Sequence, residues 1–398
     1  MNLKTKVNIS VGQEKNRTTR GPEAIRLVDS RETLADAASA FETQKQIAVD
    51  VEADSMFHFR EKVCLIQMAT ADSVYIIDPL RLTDISALLP IFKSRDIRKI
   101  FHGADYDVRS LYRDFGVDIH NLFDTELAAR FLGLRETGLD ALLGARFGVR
   151  LDKRFQRKDW SRRPLPEEML TYAAGDVEFL IPLADQLEKE LAERKRLSWV
   201  NEECRHLSRV RSMNNGDQPL FLSVKGAGKL KPRRLAVLEQ LLQLRRQIAK
   251  EKDRPLFKVL NSQALLKIAA VSPRSLDALE ATETLSRKQI GMYGRPIIDA
   301  VLNGLNTPKD ELQPYPRRSA PVMPPAVPRR VQALKAWRDR EAEALGMDPG
   351  MIINKSLMQT IATLNPSRVR DLDAIPDLRS WRRSAFGKAI VETLKKHA

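Results

Sequence analysis

Cysteine and histidine are scarce in this sequence. Its 398 residues include two cysteines, Cys64 and Cys204, and five histidines, and no Cys-x-x-Cys pair occurs. This scarcity argues against a structural zinc site and a disulfide framework, and it favours a reducing compartment. We expect Cys64 to be a small apolar residue of the core.

Long apolar runs are also missing. No stretch reaches the roughly 18 residues that a membrane span needs, and the polar N-terminus lacks the apolar segment of a secretory signal. The sequence therefore predicts a soluble cytoplasmic protein that begins with a flexible leader over residues 1–22.

Acidic residues are outnumbered by basic ones. The chain carries 67 Lys and Arg against 52 Asp and Glu, which gives a net charge of +15. A chain this basic favours a polyanionic partner, either a nucleic acid or an anionic membrane surface. The 43% hydrophobic content supports folded domains, and the length predicts two or three of them.

Some of the few acids stand in apolar segments, where a carboxylate is costly to bury without a partner. Asp50 and Glu52 share one face of a predicted strand in IAVDVEAD, and Asp107 follows in FHGADYDVRSL. Tyr172 and Asp176, four residues apart in LTYAAGDVEFL, share one face of a predicted helix. Hard divalent cations are the natural partners of such carboxylates, so the set predicts a two-metal phosphodiesterase site.

The rest of the chain divides into an α/β part and an all-helical part. Strands are predicted at QIAVDVE, VCLIQMAT, SVYIIDP and KIFHGA, with the third at a sheet edge. Strands first and helices later predict a mixed sheet flanked by helices. We expect a leader at 1–22, an α/β domain at 23–213, a linker at 214–227, a helical domain at 228–306, a Pro/Arg-rich linker at 307–329 and a second helical domain at 330–398.

The two helical domains look like copies of one another. KVLNSQALLKIA in the first aligns with MIINKSLMQTIA in the second, and each follows a charged amphipathic helix and a short loop with a proline. This self-similarity predicts a repeat of about 95 residues.

These blocks resemble the DEDD superfamily of 3′-to-5′ exonucleases, which have an RNase H-like mixed sheet. The order Asp-x-Glu, Asp, Tyr-x-x-x-Asp is similar to its tyrosine subclass, since Thr171 stands where the histidine subclass has His. Within the superfamily, FHGADYDVRSL, FDTELAARFLG and DWSRRPLPEEMLTYAAGDVEFL look like the ribonuclease D family. The helical copies are similar to its tandem HRDC domains. Phe179 departs from the family, which often has Tyr there, and this should affect packing only.

The resemblance implies a role for each residue of the set. Asp50 would bridge two divalent ions, Mg²⁺ or Mn²⁺. Glu52 and Asp176 would bind one of the ions and Asp107 the other. Tyr172 would orient the attacking water, because a phenol with a pKa near 10 is a poor base at neutral pH.

Three neighbouring residues have alternative interpretations. Asp105 is an alternative to Asp107 as the ligand of the second ion. We prefer Asp107 as the ligand and expect Asp105 to cap the following helix. Asp124 could be a fifth ligand, but we expect it to be a helix N-cap. His102 could touch RNA, although a structural role is the better interpretation.

Basic and aromatic residues suggest where RNA would lie. Cations beside aromatic rings suit single-stranded RNA, because phosphates pair with the cations while bases stack on the rings. The candidate RNA contacts are Met56, Phe57, His102, Arg157, Lys158, Trp160, Arg163, Lys229, Lys231, Arg233 and Arg234. For Trp160, burial in the core is an equally good interpretation.

The resemblance thus implies a metal-dependent exoribonuclease that trims 3′ trailers from tRNA precursors and other structured RNAs. No interface-like apolar stripe stands out in the sequence, which predicts a monomer. A proofreading-type DNA exonuclease is the first alternative. A catalytically inactive RNA-binding protein is the second, and five competent residues at the site argue against it.

Overall fold

The computed structural model describes residues 24–82, 84–211, 218–316 and 324–396. The predicted leader at 1–22 lies outside the described residues, as do parts of both predicted linkers. The described chain forms two compact units. One contains the sheet and the last helical domain, and the other contains the first helical domain together with the loop Asp54–Lys62.

A six-stranded mixed sheet forms the centre of the first unit. Its strands are β1 (Ala24–Val28), β2 (Gln46–Ala53), β3 (Val63–Ala69), β4 (Ser73–Ile77), β5 (Arg98–Phe101) and β6 (Leu122–Asp124). Their order is β1-β4-β3-β2-β5-β6, and only β3 runs antiparallel to its neighbours. Strands β3 and β4 are buried at every residue, which explains their nearly continuous apolar sequences.

The predicted mixed sheet is confirmed, but one strand was placed wrongly. We expected β4 at a sheet edge, whereas it lies between β3 and β1. Strand β1 pairs with it in parallel from Ala24 to Val28. Strands β1 and β6 were not predicted, because five and three residues carry too little periodicity to identify a strand.

Helices flank the sheet and follow it in sequence. They are α1 (Arg31–Glu42), α2 (Pro79–Leu82), α3 (Leu89–Lys93), α4 (Asp105–Phe115), α5 (Thr125–Phe131), α6 (Leu139–Phe147), α7 (Glu167–Glu178), α8 (Leu180–Glu193) and α9 (Leu197–Leu207). After Pro166 the chain forms three successive helices, α7, α8 and α9. The predicted core role of Cys64 is confirmed, because the residue is fully buried in β3.

The first helical domain has its own core. Its helices are α10 (Pro232–Glu251), α11 (Leu256–Val259), α12 (Ser262–Val271), α13 (Leu276–Glu280) and α14 (Arg287–Asn306). Helices α10 and α14 pack closely, since a Cβ at Gly304 would overlap the backbone of Val237. In the same unit, Asp253 accepts a hydrogen bond from the Phe59 amide at 3.1 Å and contacts the His58 ring at 2.7 Å.

The second helical domain shares its core with the sheet domain. Its helices are α15 (Ala326–Leu345), α16 (Pro349–Ile352), α17 (Lys355–Leu364) and α18 (Ser380–Lys396). Trp381 at the start of α18 stacks on Trp199 of α9 at a centroid distance of 4.7 Å, and it meets Phe131 edge-on at 5.3 Å. One continuous apolar cluster consequently spans both domains.

Acidic residues of α9 complete this interface. Glu202 accepts hydrogen bonds from the backbone amides of Ser380 and Trp381 at 2.7 and 2.9 Å, where α18 begins. Glu203 accepts the indole N–H of Trp381 at 2.8 Å and pairs with Arg382. The first amides of a helix have no partner within that helix, so Glu202 caps α18 from another domain.

Candidate active site

Strand β2 carries the first two carboxylates into the middle of the sheet. It lies between β3 and β5, and its residues Val49 and Val51 are buried. Asp50 and Glu52 alternate with them and are half-buried. The strand ladder shifts register between Glu52 and Ala53, so the regular sheet ends directly after this acidic pair.

Helix α7 brings the third carboxylate to the same place. It packs against β2, β3 and β4 through Ala173, Ala174 and Val177, which are buried. Asp176 then offers a carboxylate oxygen that lies within 4.8 Å of one oxygen each from Asp50 and Glu52. Three carboxylates from two elements therefore share one small volume.

Helix α4 delivers Asp107 beside this group. Asp107 lies in the first turn and is 6% exposed, and its carboxylate is close enough to Asp50 to affect its ionisation. It is not one of the carboxylates that meet within 4.8 Å. The structure thus brings Asp50, Glu52 and Asp176 together, with Asp107 as their neighbour.

Asp105 has a different environment from Asp107. Its side chain is 59% exposed and forms a two-point ion pair with Arg109, at 2.8 and 3.0 Å. The N-cap of α4 is Ala104, and no side chain caps this helix start, so the predicted capping role of Asp105 is wrong. This outward pairing favours Asp107 over Asp105 as the functional acid.

The acidic group is electrostatically unfavourable by itself. Burial raises the pKa of Asp50 and of Asp176 far above the usual range, and the nearby Asp50 raises that of Asp176 further. Burial together with Asp50, Asp176 and Asp107 raises the pKa of Glu52 still more. Protons relieve this repulsion in the absence of a cation, and a hard divalent cation would relieve it in the ionised state. The donor set therefore fits divalent metal binding.

Tyr172 is held at the edge of the carboxylates as a neutral phenol. Burial and the nearby Asp176, Glu52 and Asp50 raise its pKa well above that of a free tyrosine, and its hydroxyl donates a hydrogen bond to Asp176. A phenol that keeps its proton can donate and orient, but it cannot act as a general base at neutral pH.

Asp124 organises the loop that leads into α4. Its carboxylate caps α5 through the amides of Glu126 and Leu127, which confirms the predicted N-cap. It also accepts the amides of Gly103 and Ala104 at 3.0 and 2.8 Å. One buried carboxylate thus fixes the starts of both α5 and α4. The second of these roles has no sequence signal, because nothing local connects residues 20 positions apart.

His102 lies in the same loop. Its Nδ1 is 2.9 Å from the hydroxyl of Thr125, and burial lowers the pKa of the ring. The structure gives His102 a structural contact and leaves its RNA contact a prediction.

Two of the residues predicted to contact RNA make their contacts inside the protein instead. Trp160 is 1% exposed, and its ring packs against Tyr172 at 5.9 Å, so it has no free face for a base. Arg163 forms a forked ion pair with the buried Asp78 at 2.5 and 2.7 Å and donates to the Cys64 carbonyl. The structure therefore does not support RNA contacts for Trp160 or Arg163. Arg157 and Lys158, in the same loop, are exposed.

The remaining predicted contacts lie in the second unit. Lys229, Lys231 and Met56 are exposed, and Arg234 is half-buried. Arg233 donates to the Thr307 carbonyl, which occupies part of its guanidinium. The Phe57 ring forms a cation–π contact with Lys258, whose Nζ lies 4.4 Å from the ring centroid.

Two family models match this chain. The model described as a 3′-5′ exonuclease matches residues 25–192, and the HRDC domain model matches residues 234–301 and 328–394. These matches confirm the predicted tandem arrangement of the helical copies. None of the described helices has the length and apolar character needed to cross a membrane.

Similar proteins cover most of the chain. Ribonuclease D of Pseudomonas paraeruginosa is 29% identical over 365 residues, 91% of this chain and 96% of the relative. Ribonuclease D of Desulfotalea psychrophila is 32% identical over 304 residues, 75% of this chain and 80% of the relative. The crystal structure of Escherichia coli RNase D, an exoribonuclease involved in structured RNA processing, is 26% identical with a TM-score of 0.72 and matches 94% of this chain and 99% of its own.

Proposed function

The chain belongs to the ribonuclease D family of exoribonucleases, and we propose that it trims 3′ trailers from tRNA precursors and other structured RNAs. Each cycle would release one nucleoside 5′-monophosphate from a 3′-hydroxyl end. The observation that carries the proposal is the meeting of Asp50, Glu52 and Asp176 within 4.8 Å in an exonuclease domain. The likeness to E. coli RNase D, which takes part in structured RNA processing, supports the substrate class.

Two divalent ions, Mg²⁺ or Mn²⁺, would be held by the four carboxylates. Asp50, Glu52 and Asp176 would hold one ion, and Asp107 would share the second with Asp50. When bound, such ions supply Lewis acidity for a phosphodiester and lower the pKa of water. Ionised carboxylates are needed for this. Burial raises the pKa values of Asp50, Glu52 and Asp176, neighbouring carboxylates raise those of Glu52 and Asp176 further, and both effects favour cation uptake with release of protons.

The chain's own residues would supply orientation. Tyr172 keeps its proton and would donate a hydrogen bond that fixes the attacking water relative to the scissile phosphate. Asp124 would hold the start of α4, and with it Asp107, in place. The exposed Arg157 and Lys158 would pair with phosphates of the RNA, and the second unit would offer Lys229 and Lys231 as phosphate contacts of its own.

Hydrolysis of RNA and of DNA by purified protein tests the proposal. A 3′-extended tRNA transcript and single-stranded DNA are each incubated with the protein in magnesium and then in EDTA. We expect mononucleotides from RNA in magnesium only. Absence of mononucleotides from RNA would refute the proposal, and equal or faster digestion of DNA would favour a DNA exonuclease.

Two neighbouring aspartates provide a matched pair of variants. Asp107→Asn should lower the rate at least about 10²-fold, because it removes a metal-binding carboxylate. Asp105→Asn removes an acid from the same helical turn but only breaks the surface pair with Arg109, so its rate should stay near that of the wild type. The reverse result would mean that Asp105 is the functional residue. RNA binding without digestion by the wild type and by Asp50→Asn would favour an inactive binding protein.

A further inference from the structure

Tyr172 contacts two other aromatic rings. The Phe155 ring meets it edge-on with centroids 5.7 Å apart, and the Trp160 ring lies on it at a tilt of 38° with centroids 5.9 Å apart. These separations lie within the range of favourable aromatic pairs. The ring of Tyr172 is therefore restrained by two contacts that α7 itself does not provide.

Phe155 and Trp160 belong to the segment between α6 and α7, residues 148–166, which has no helix or strand. A segment of this kind can restrain a neighbour only if it is itself fixed. Asp159 orders the turn after Trp160 by accepting from the amide and hydroxyl of Ser161, at 3.2 and 2.6 Å. Trp160 itself is 1% exposed and is the largest fully buried side chain of the described residues.

Arg163 fastens this segment to the sheet. Its guanidinium reaches both carboxylate oxygens of Asp78, which follows β4 and is 2% exposed. It also donates to the Cys64 carbonyl of β3 at 2.9 Å and to the Trp160 carbonyl at 2.7 Å. A planar fork that reaches the Asp78 carboxylate and the carbonyls of Cys64 and Trp160 together holds the backbone of Trp160 at a fixed distance from the sheet.

The indole N–H of Trp160 has no hydrogen-bond partner among the described residues. A buried donor without a partner costs stability, so hydrogen bonding does not explain a tryptophan at this position. Among the described residues, the ring of Trp160 pairs with the ring of Tyr172.

We infer that Trp160, with Phe155, is a positioning residue that sets the orientation of the Tyr172 hydroxyl towards Asp50, Glu52 and Asp176, and that Arg163 fixes Trp160 for this task. The inference rests on the proposed function, because it assigns Tyr172 a role in the reaction. It also explains why a strongly basic loop of the nuclease domain contains a buried tryptophan and a half-buried arginine that pairs with a buried aspartate.

A double-mutant cycle tests the inference, with kcat and KM measured on a 3′-extended RNA in magnesium. Trp160→Ala should lower kcat about 10- to 100-fold with KM changed less than about 3-fold, because the hydroxyl is misplaced while RNA binding is kept. In a Tyr172→Phe background, which has no hydroxyl to place, Trp160→Ala should change kcat less than about 2-fold. Trp160→Phe should recover most of the loss, since it keeps a ring and removes the unpartnered donor.

Several outcomes would overturn the inference. One is an equal loss of kcat from Trp160→Ala in both backgrounds, which would indicate a purely structural effect. Others are a rise in KM at unchanged kcat, as expected for an RNA contact, and a Tyr172→Phe variant with full activity. If Trp160→Ala does not fold, Phe155→Leu at the half-buried second ring decides by the same cycle. A wild type that releases no nucleotides would instead refute the proposed function.

Phe41→Leu is the matched control. Phe41 is also fully buried and also meets a tyrosine edge-on, since its centroid is 4.8 Å from that of Tyr75. Neither residue of this pair belongs to the acidic group. The variant should lower the free energy of unfolding while the folded protein keeps its kcat.

Discussion

Removal of the Trp381 side chain should loosen α9 of the nuclease domain, although Trp381 belongs to the second helical domain. The Trp381 ring is 4% exposed, is stacked on Trp199, and meets Phe131 edge-on. Its indole N–H also donates to Glu203. Trp381→Ala opens a cavity between the two domains and leaves the Glu203 carboxylate with one donor fewer.

The size of the effect follows from these contacts. Replacement of a buried aromatic ring by alanine costs about 3–5 kcal/mol in packed cores. The cost falls on the interface, because Trp199 and Phe131 lose the ring that covers them. At about 1.4 kcal/mol per factor of ten, the opening equilibrium of this interface should rise about 10²- to 10⁴-fold.

Hydrogen exchange measured by mass spectrometry on the full chain gives the local readout. Peptides from Leu197–Leu207 should exchange faster in Trp381→Ala by that factor, up to the limit set by global unfolding. Lys395→Ala is the control, because Lys395 lies in the last turn of the same helix α18 and is exposed. Unchanged exchange of α9 in Trp381→Ala would show that the aromatic stack does not hold the two domains together, and the reasoning would fail.

Three further predictions concern buried ionisable groups. Without metal, the free energy of unfolding should fall as the pH rises from about 4 towards 9. Folding raises the pKa of Asp50 to about 7 and that of Glu52 to about 10, so the folded chain holds protons that the unfolded chain releases. Urea unfolding in EDTA should show a weaker pH dependence for Glu52→Gln than for the wild type, and an identical pH dependence would contradict this. Burial lowers the pKa of Lys99 from 10.5 to about 7, so between these pH values the unfolded chain binds a proton that the folded chain lacks. The wild type should therefore lose stability relative to Lys99→Met as the pH falls from about 10 to about 7. Free energies of unfolding that change equally with pH in both proteins would refute this. Asp124→Asn should cost about 1–3 kcal/mol of stability and weaken magnesium activation, since asparagine keeps one oxygen and places an N–H donor where the other was, so one of the amides of Gly103 and Ala104 loses its acceptor. An unchanged magnesium titration of activity would mean that this cap does not position Asp107.

The fold and the acidic group could be predicted because their signals are local. Asp50 and Glu52 lie two residues apart on one strand, and Tyr172 and Asp176 lie four apart on one helix, so each pair shares a face by geometry alone. Only the meeting of the two pairs requires the tertiary fold. Their functional roles remain a proposal that the experiments above address.

The contacts that Trp160 and Arg163 make inside the protein could not be predicted in the same way. A loop with cations and aromatic residues has the same sequence whether it faces RNA or is fastened inward. What distinguishes the two cases is Asp78, which lies 85 positions from Arg163 and has no sequence pattern of its own. Long-range ion pairs of this kind depend on the positions of other elements, which composition and periodicity do not specify.

The different roles of the two helical copies, by contrast, did have a sequence signal. The structure supports an alignment of Tyr293-Gly294 in the first copy with Phe386-Gly387 in the second. A Cβ added at Gly294 would contact Leu276, and one added at Gly387 would contact Val369. The alignment pairs Leu276 with Val369, so the two glycines have equivalent surroundings. The same alignment pairs the exposed Lys288 with the buried Trp381.

The residue at this one position thus distinguishes the two helix starts: the exposed Lys288 near the start of α14, and the buried Trp381 near the start of α18, which inserts into the nuclease domain. Lysine there keeps the first copy self-contained, with a core of its own. Tryptophan there gives the second copy an apolar anchor, and Glu202 and Glu203 supply acceptors for its N–H groups and for Arg382. An apolar residue at a position that is charged in the sister repeat is therefore a reason to expect a docked surface. It also means that a chain shortened before residue 324 would expose Trp199 and Phe131, so the nuclease domain depends on the second copy for part of its core.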